Sequence, residues 1–400
     1  MERQNGSALA GLRVLDLGRM IAGPLAAAML ADMGAEVIKV EAPDTGDMAR
    51  DMLPKDGDVS TYYVVFNRGK RGITLDLKSP EGMEILQKLL AETDVLIENF
   101  RPGVMERLNL SYPRVSALNP GIIYASISGY GQTGPYAGRA ASDPIAQAMS
   151  GLMSVTGPLD GPQVRCGASI ADVLAAQNAV IAILAALEYR RSAGVGQQID
   201  IALADSCIAA LASVNQLYLT TGKTPRNLGN CFEASAPGNS YPTADGSCVV
   251  ILSGRDGEWK RLAQVLGHPE WAQRPEFATV ARRVENRRKL DSLIASETRR
   301  HSRQDLLDLL LAAKLPAAPM LTIDQAAADP HFRHEREMYA QVDHPRLGPV
   351  TITGQAVKMS RTNPYVRGCS PELGQHNEEI LTALGYDSGE IRRLREKHVI

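Results

Sequence analysis

Two carboxylates, Asp172 and Asp143, are the side chains of this 400-residue chain best placed to do chemistry. Asp172 stands in Arg165-Cys-Gly-Ala-Ser-Ile-Ala-Asp-Val173, where a Gly-containing turn runs into an apolar stretch over 173–189. The Ala and Leu content of that stretch predicts a helix, ended by Arg190-Arg191 and Gly194. An acid at such a helix start also has a purely structural use, because it accepts the unpaired backbone N–H groups there. Asp143, in Ala141-Ser-Asp-Pro-Ile-Ala-Gln147, has the same two readings: a cap before Pro144, or a working acid. Histidine narrows the field by its distribution. All seven, at 268, 301, 331, 334, 344, 376 and 398, lie beyond residue 267. A Ser-His-Asp, Cys-His or His/Asp arrangement within the N-terminal part of the chain is thereby excluded. No HExxH or clustered ligand set points to a metal.

Gly129-Tyr-Gly-Gln-Thr-Gly134 matches the dinucleotide pattern literally. That pattern needs a following helix and an acid about 20 residues on. Pro135 follows instead, and no Asp or Glu lies between Pro144 and Leu159, so NAD is not expected. The glycines, Gly131 among them, are expected to form either an active-site loop or a plain turn. Several cations, Lys39, Arg68, Lys70, Arg71, Arg101 and Arg107, fall near predicted strand ends. Ligands of open α/β sheets bind outside the carboxyl ends of the strands, and a phosphate-bearing ligand suits Arg and Lys there.

The elements that must position these groups alternate. Strands are predicted at 13–17, 35–40, 73–77, 94–98, 121–127 and 197–201, with helices between them. Gly23-Pro24 opens one helix and Ser79-Pro80-Glu81 another, the latter with a cap, a first-turn Pro and an acid at the positive end. The alternation specifies an α/β fold with an open, Rossmann-like parallel sheet. The texture changes after about Gly222. A large domain is expected over 1–224, a small α+β domain over 225–325, and a C-terminal segment, 326–400, returning to the large domain.

Hydrophobic residues make up 44% of the chain and charged residues 22%, with a net charge of −2. That balance gives no reason to expect nucleic acid or an anionic membrane as partner. Five widely spaced cysteines, none in a CxxC pair, fit reduced thiols and a cytoplasmic location. Neither a signal pattern nor an apolar run long enough to cross a bilayer is expected.

Taken together, Arg13-Val-Leu-Asp-Leu17, Gly34-Ala-Glu-Val-Ile-Lys-Val-Glu41, Asn67-Arg-Gly-Lys-Arg71, Glu98-Asn-Phe-Arg-Pro-Gly103, Ser128-Gly-Tyr-Gly-Gln-Thr-Gly-Pro135 and Leu373-Gly-Gln-His376 resemble the class III CoA-transferases over nearly the whole chain. The resemblance implies that Asp172 is the nucleophilic aspartate and Asp143 the second acid. It implies coenzyme A as a substrate, with the adenosine end near Leu75, Asn99, Phe100 and Arg107, and an interlocked homodimer. Relative to the formyl-CoA branch, Ile21 replaces a substrate-side Gln and Ser142-Asp143 replace a Tyr-Glu pair, so oxalate and formate are not the expected acids. The run Ser150-Gly-Leu-Met-Ser-Val-Thr-Gly-Pro158 looks closest to the glutarate branch, which implies a dicarboxylic acid held by Arg19, Arg139 or Arg165.

The implied chemistry passes CoA from an acyl-CoA such as succinyl-CoA to a free acid, through an aspartyl anhydride and an aspartyl-CoA thioester. Two rivals remain. A 2-methylacyl-CoA racemase needs two proton-exchanging groups, and Ser142 stands where such enzymes carry a His. A non-catalytic CoA-binding protein would be expected to lack the acid at 172.

Overall fold

The computed structural model describes residues 6–400. The chain divides into two compact units. One comprises the residues up to Ser150 together with Cys166–Ser213 and Pro330–Ile400; the other comprises Gly151–Arg165 and Val214–Asp329. Composition alone had placed the first change of domain near 224 and given no sign that 151–165 leaves the first unit. That segment is short and carries no change of periodicity to mark its crossing.

The first unit is built on six parallel strands: β1 (Arg13–Asp16), β2 (Glu36–Glu41), β3 (Arg71–Thr74), β4 (Val95–Glu98), β5 (Ile123–Ser128) and β6 (Gln197–Ala202). Their order across the sheet is 3-2-1-4-5-6, the doubly wound arrangement whose strand order reverses beside β1. Six helices matter for the site: α1 (Ala22–Asp32), α2 (Thr61–Asn67), α3 (Pro80–Ala91), α4 (Asp143–Met149), α5 (Ile170–Ala193) and α6 (Leu203–Ala210). At α3 the Ser79 hydroxyl accepts the Gly82 N–H, as its sequence signature predicts. Gly194, at φ +73°, ends α5. The sheet core includes Leu15, Leu17, Ile73, Leu75, Leu96 and Tyr124, packed against Ile85, Leu86 and Leu90 of α3.

Helix α5 corrects one expectation. Over its 24 residues it is long and apolar enough, by length and composition alone, to cross a membrane. One face, Ala175, Ala176, Ala179, Val180, Ile183 and Ala186, is buried in the unit. Apolar side chains on the other, Ile181 and Tyr189, stay exposed.

The edge of the sheet at β3 is closed by side chains mimicking a strand. His376 accepts the Gly72 N–H on Nδ1 and donates its own backbone N–H to the Gly72 carbonyl. Asn377 accepts the Thr74 N–H and donates to its hydroxyl. An unpaired sheet edge is a template for unwanted pairing, and this clasp removes it.

The second unit has its own core around an antiparallel sheet of β7 (Gly238–Pro242), β8 (Cys248–Leu252) and β9 (Ala317–Pro319). Trp259, Leu262, Phe277, Leu290 and Leu306 pack there. Arg283, fully buried, donates to the carbonyls of Ala236, Phe277 and Gly254 and pairs with Asp256.

Candidate active site

Asp172 is the third residue of α5, and the N-cap Ser169 makes no side-chain cap. The cap comes from another helix. Asp143, 5% exposed at the start of α4, accepts the Ala171 N–H on Oδ1 at 2.8 Å. Its Oδ2 accepts from Gln147 Nε2 at 2.7 Å, one helical turn on. The same Gln147 amide, 0% exposed, accepts the Cys166 N–H on Oε1 at 2.8 Å. Both oxygens of Asp143 therefore receive N–H groups, and the carboxylate serves as the cap that α5 lacks locally.

The Asp172 carboxylate, by contrast, has no hydrogen-bond or ion-pair partner among the described residues. Burial, and secondarily the Asp143 charge, push its pKa up to about 7. A carboxylate so shifted is more basic than usual and unencumbered, as a nucleophile must be. Tyr62 on α2 stands in the same electrostatic neighbourhood: burial, then Asp172, Asp47 and Asp143, push its pKa up to about 12. It remains a hydroxyl, able to donate. Cys207 on α6 is buried beside the pair, its thiol pushed up by burial against a hydrogen bond with Ser150, with Asp143 and Asp172 adding to the rise. Neither Tyr62 nor Gln147 stood out in the sequence. A Tyr-Tyr pair at a helix start and a Gln one turn after an acid are too common to signal.

The glycine-rich loop after β5 is a packing turn. A Cβ on Gly129 would lie 2.1 Å from the Ala141 Cβ, so only glycine lets the segment leading to Asp143 lie against the strand end. Gly131 adopts φ +86°, which favours glycine, and the next N–H, of Gln132, donates to Asp200 at 2.8 Å.

Around the β1–α1 connection lies a buried ionic network. Lys39 is fully buried, 3.1 Å from Asp47, and donates to the Gly18 carbonyl at 2.6 Å. Burial opposes its charge, but Asp16, Asp47 and Glu41 outweigh it and hold the ammonium above its ordinary value. Lys70 Nζ donates to Asp16 Oδ2 (2.7 Å), Asn67 Oδ1 and the Pro24 carbonyl, and burial pulls it down to about 8. Asp47 also receives the N–H of Met20, which sits at φ +64°, a left-handed conformation rare for a side chain of this size. Arg68 pairs with buried Asp32 at 2.7 Å. Lys39, Lys70 and Arg68, grouped by sequence with the phosphate-binding cations, are thus committed inward. Their partners lie far off in sequence, which is why position alone misplaced them. Arg71 pairs with Glu379 at the sheet edge.

Outside the carboxyl ends of β1 to β4 opens a cavity of about 320 Å³, lined by Leu17, Arg19, Leu75, Lys78, Phe100 and Val104, among others. Leu75 and Phe100 thus lie together. Asn99 holds the adjoining loop, exchanging hydrogen bonds with the Arg19 N–H and carbonyl. Arg19 stacks over Phe100, 5.0 Å from the ring centroid. Arg101 and Arg107 are exposed beside the short helix Val104–Arg107. Glu98, buried beneath Phe100, is pushed up to about 7 by burial against bonds from Ser126 and the Phe100 N–H. Of the remaining residues expected on the substrate side, Ile21 is buried, Ser142 is exposed, and Arg139 is exposed with its guanidinium over Tyr136. Arg165 belongs to the second unit. Among the described residues no group of three or more His, Cys, Asp or Glu side chains is arranged to hold a metal.

Comparison with known proteins gives this architecture a lineage. The family CoA-transferase family III matches residues 9–377. The chain is 40% identical to the succinyl-CoA–D-citramalate CoA-transferase of Chloroflexus aurantiacus over 391 residues, 97% of each chain. It is also 40% identical to the succinate–glutarate CoA-transferase of Agrobacterium fabrum, covering 94% of this chain and 95% of that one. A crystal structure of a CaiB/BaiF family protein from Brucella suis superposes with a TM-score of 0.86 at 38% identity, over 95% of this chain and all of the other. The chain belongs to CoA-transferase family III.

Proposed function

We propose that this enzyme moves CoA from succinyl-CoA to a second dicarboxylic acid, with Asp172 as the covalent carrier. The single observation that carries the role of Asp172 is its carboxylate, raised in basicity, unpartnered and held on a helix start capped from α4. The substrate class is supported by similar proteins named for succinyl-CoA with D-citramalate, glutarate or mesaconate.

Asp172 attacks the thioester carbonyl, expelling CoA thiolate and leaving a mixed anhydride. The thiolate attacks the aspartyl carbonyl, releasing succinate and leaving CoA on Asp172 as a thioester. The acceptor carboxylate attacks that thioester, giving a second anhydride and free thiolate. Attack of the thiolate on the acceptor's acyl carbon delivers the new acyl-CoA and restores Asp172. Each tetrahedral oxyanion needs a preorganised donor, and the Tyr62 hydroxyl is a candidate. The adenosine end of CoA fits the cavity lined by Leu75 and Phe100, with Arg19 and Lys78 facing its phosphates. With Arg19 there, Arg139 of the same unit is the candidate to hold the distal carboxylate of the acid.

The racemase reading requires a second proton-exchanging group beside Asp172, and Asp143, whose charge raises the Asp172 pKa, is occupied as a cap. We also propose a homodimer, interlocked as the resemblance implies. Ile145 and Met149 on α4, Ile181 and Tyr189 on α5 and Ile208 on α6 are exposed apolar side chains on mutually packed helices, suited to a second copy.

The test is a panel of mono- and dicarboxylic acids incubated with succinyl-CoA and read by mass spectrometry, together with trapping of the CoA adduct. Asp172→Ala is expected to lose activity by on the order of 10⁴-fold or more while still binding CoA. Full turnover in that variant would overturn the assignment.

A further inference from the structure

Gln147 does no chemistry of its own, yet it is among the most completely enclosed polar side chains beside Asp172. Its amide is satisfied at both ends, donating to Asp143 Oδ2 and accepting the Cys166 N–H. Helix α4 thereby holds the chain at two points, Cys166 ahead of α5 and Ala171 in its first turn, on either side of the point where the helix begins. Asp172 is the next residue after the second grip. Gln147 cannot rotate without placing an N–H against the Cys166 N–H and a carbonyl against the Asp143 carboxylate, so its orientation is fixed by its partners.

We infer that Gln147 is a positioning residue for CoA transfer: by aiming Asp143 at the Ala171 amide and anchoring the Cys166 backbone, it fixes where α5 begins and hence where the Asp172 oxygens meet the thioester. The inference rests on Asp172 as nucleophile. Transfer through two anhydrides and a thioester needs the same carboxylate correctly placed four times in a cycle. Displacement by about 1 Å can cost about 10²-fold in such steps. The titratable groups within electrostatic reach of Asp172 are Asp143 from α4, Tyr62 from α2 and Cys207 from α6, and none of these replaces the double grip.

Two variants of the full-length protein test it. Gln147→Leu keeps the volume and removes both hydrogen bonds. It is expected to lower kcat about 10- to 100-fold and to slow formation of the CoA adduct, with the dissociation constant for CoA within about 2-fold of wild type. Gln147→Glu is conditional. Protonated, its hydroxyl donates to Asp143 and its carbonyl accepts the Cys166 N–H, so the grip is kept; ionised, it sets two carboxylates face to face. Its kcat is expected to approach wild type at the acid end and to fall as pH rises, adding an alkaline limb that wild type lacks. A merely structural role would not create that limb. Wild-type kcat in Gln147→Leu, or a wild-type pH profile in Gln147→Glu, would overturn the inference. If Gln147→Leu does not fold, the pH profile of Gln147→Glu decides alone. Turnover surviving in Asp172→Ala would instead remove the nucleophile itself, a separate measurement.

Discussion

At the scale of the residue, Asp172 combines two demands that conflict. As the proposed nucleophile it must react as a carboxylate, yet burial and the Asp143 charge favour its protonated form, with a pKa of about 7. The value of kcat/KM is therefore expected to fall about tenfold per pH unit below about 7 and to level above it, as a rate profile between pH 5 and 9 will show. Asp143→Asn removes the smaller of the two causes, so the acid limb should move to lower pH while staying above the ordinary carboxylate range. Stability carries the opposite sign. A folded pKa raised above the unfolded one favours the fold fully only below about 4, and that favour is lost as pH rises to about 7. Asp172→Ala should therefore gain more thermal stability over wild type at pH 8 than at pH 4, as paired melting curves will read. That pattern would mark a side chain kept for reactivity at the expense of the fold. The residues around Asp172 allow a cap as readily as a nucleophile, and the resemblance across the whole chain is what singles it out; its partnerless state was not legible, because it depends on what α2, α4 and α6 bring near.

At the scale of the element, local signatures translated directly and distant pairings did not. Ser79-Pro80-Glu81 announced α3 through short-range hydrogen bonding alone. The predicted strand at 73–77 was displaced to Arg71–Thr74, because Asp76 turns out of the sheet to bond the Val399 carbonyl and Leu75 to Leu77 line the cavity. Lys39 and Lys70 look like ligand cations in one dimension and become internal ties in three. The glycines after β5 were read as a loop, but not as the close approach that seats Ala141. Gly129→Ala should push that segment away and lower kcat with little change in far-ultraviolet dichroism; unchanged kcat would show that the contact can relax. Asn377→Ala, which strips the clasp from Thr74, should cost about 1–3 kcal/mol in denaturant titrations.

At the scale of the molecule, the sequence conveyed the alternating α/β order but not the excursion of 151–165 into the second unit. The half-covered helix α5 is what the proposed homodimer would cover. Sedimentation should give twice the 43.1 kDa chain mass, and Ile181→Asp should shift it toward one. A monomer in the wild type would remove the homodimer from the proposal. The buried amines carry one more consequence. A protein that handles activated acyl groups risks being acylated by its own substrate, and the amine most exposed to that risk is one near neutral and close by. Lys70, with its pKa near 8, would be such a target were it not sealed between Asp16, Asn67 and Pro24. Lys78, open on the cavity wall, has no such shelter. Long incubation with succinyl-CoA should therefore mark Lys78 and leave Lys39 and Lys70 clean, a pattern of self-inflicted damage readable by peptide mass mapping.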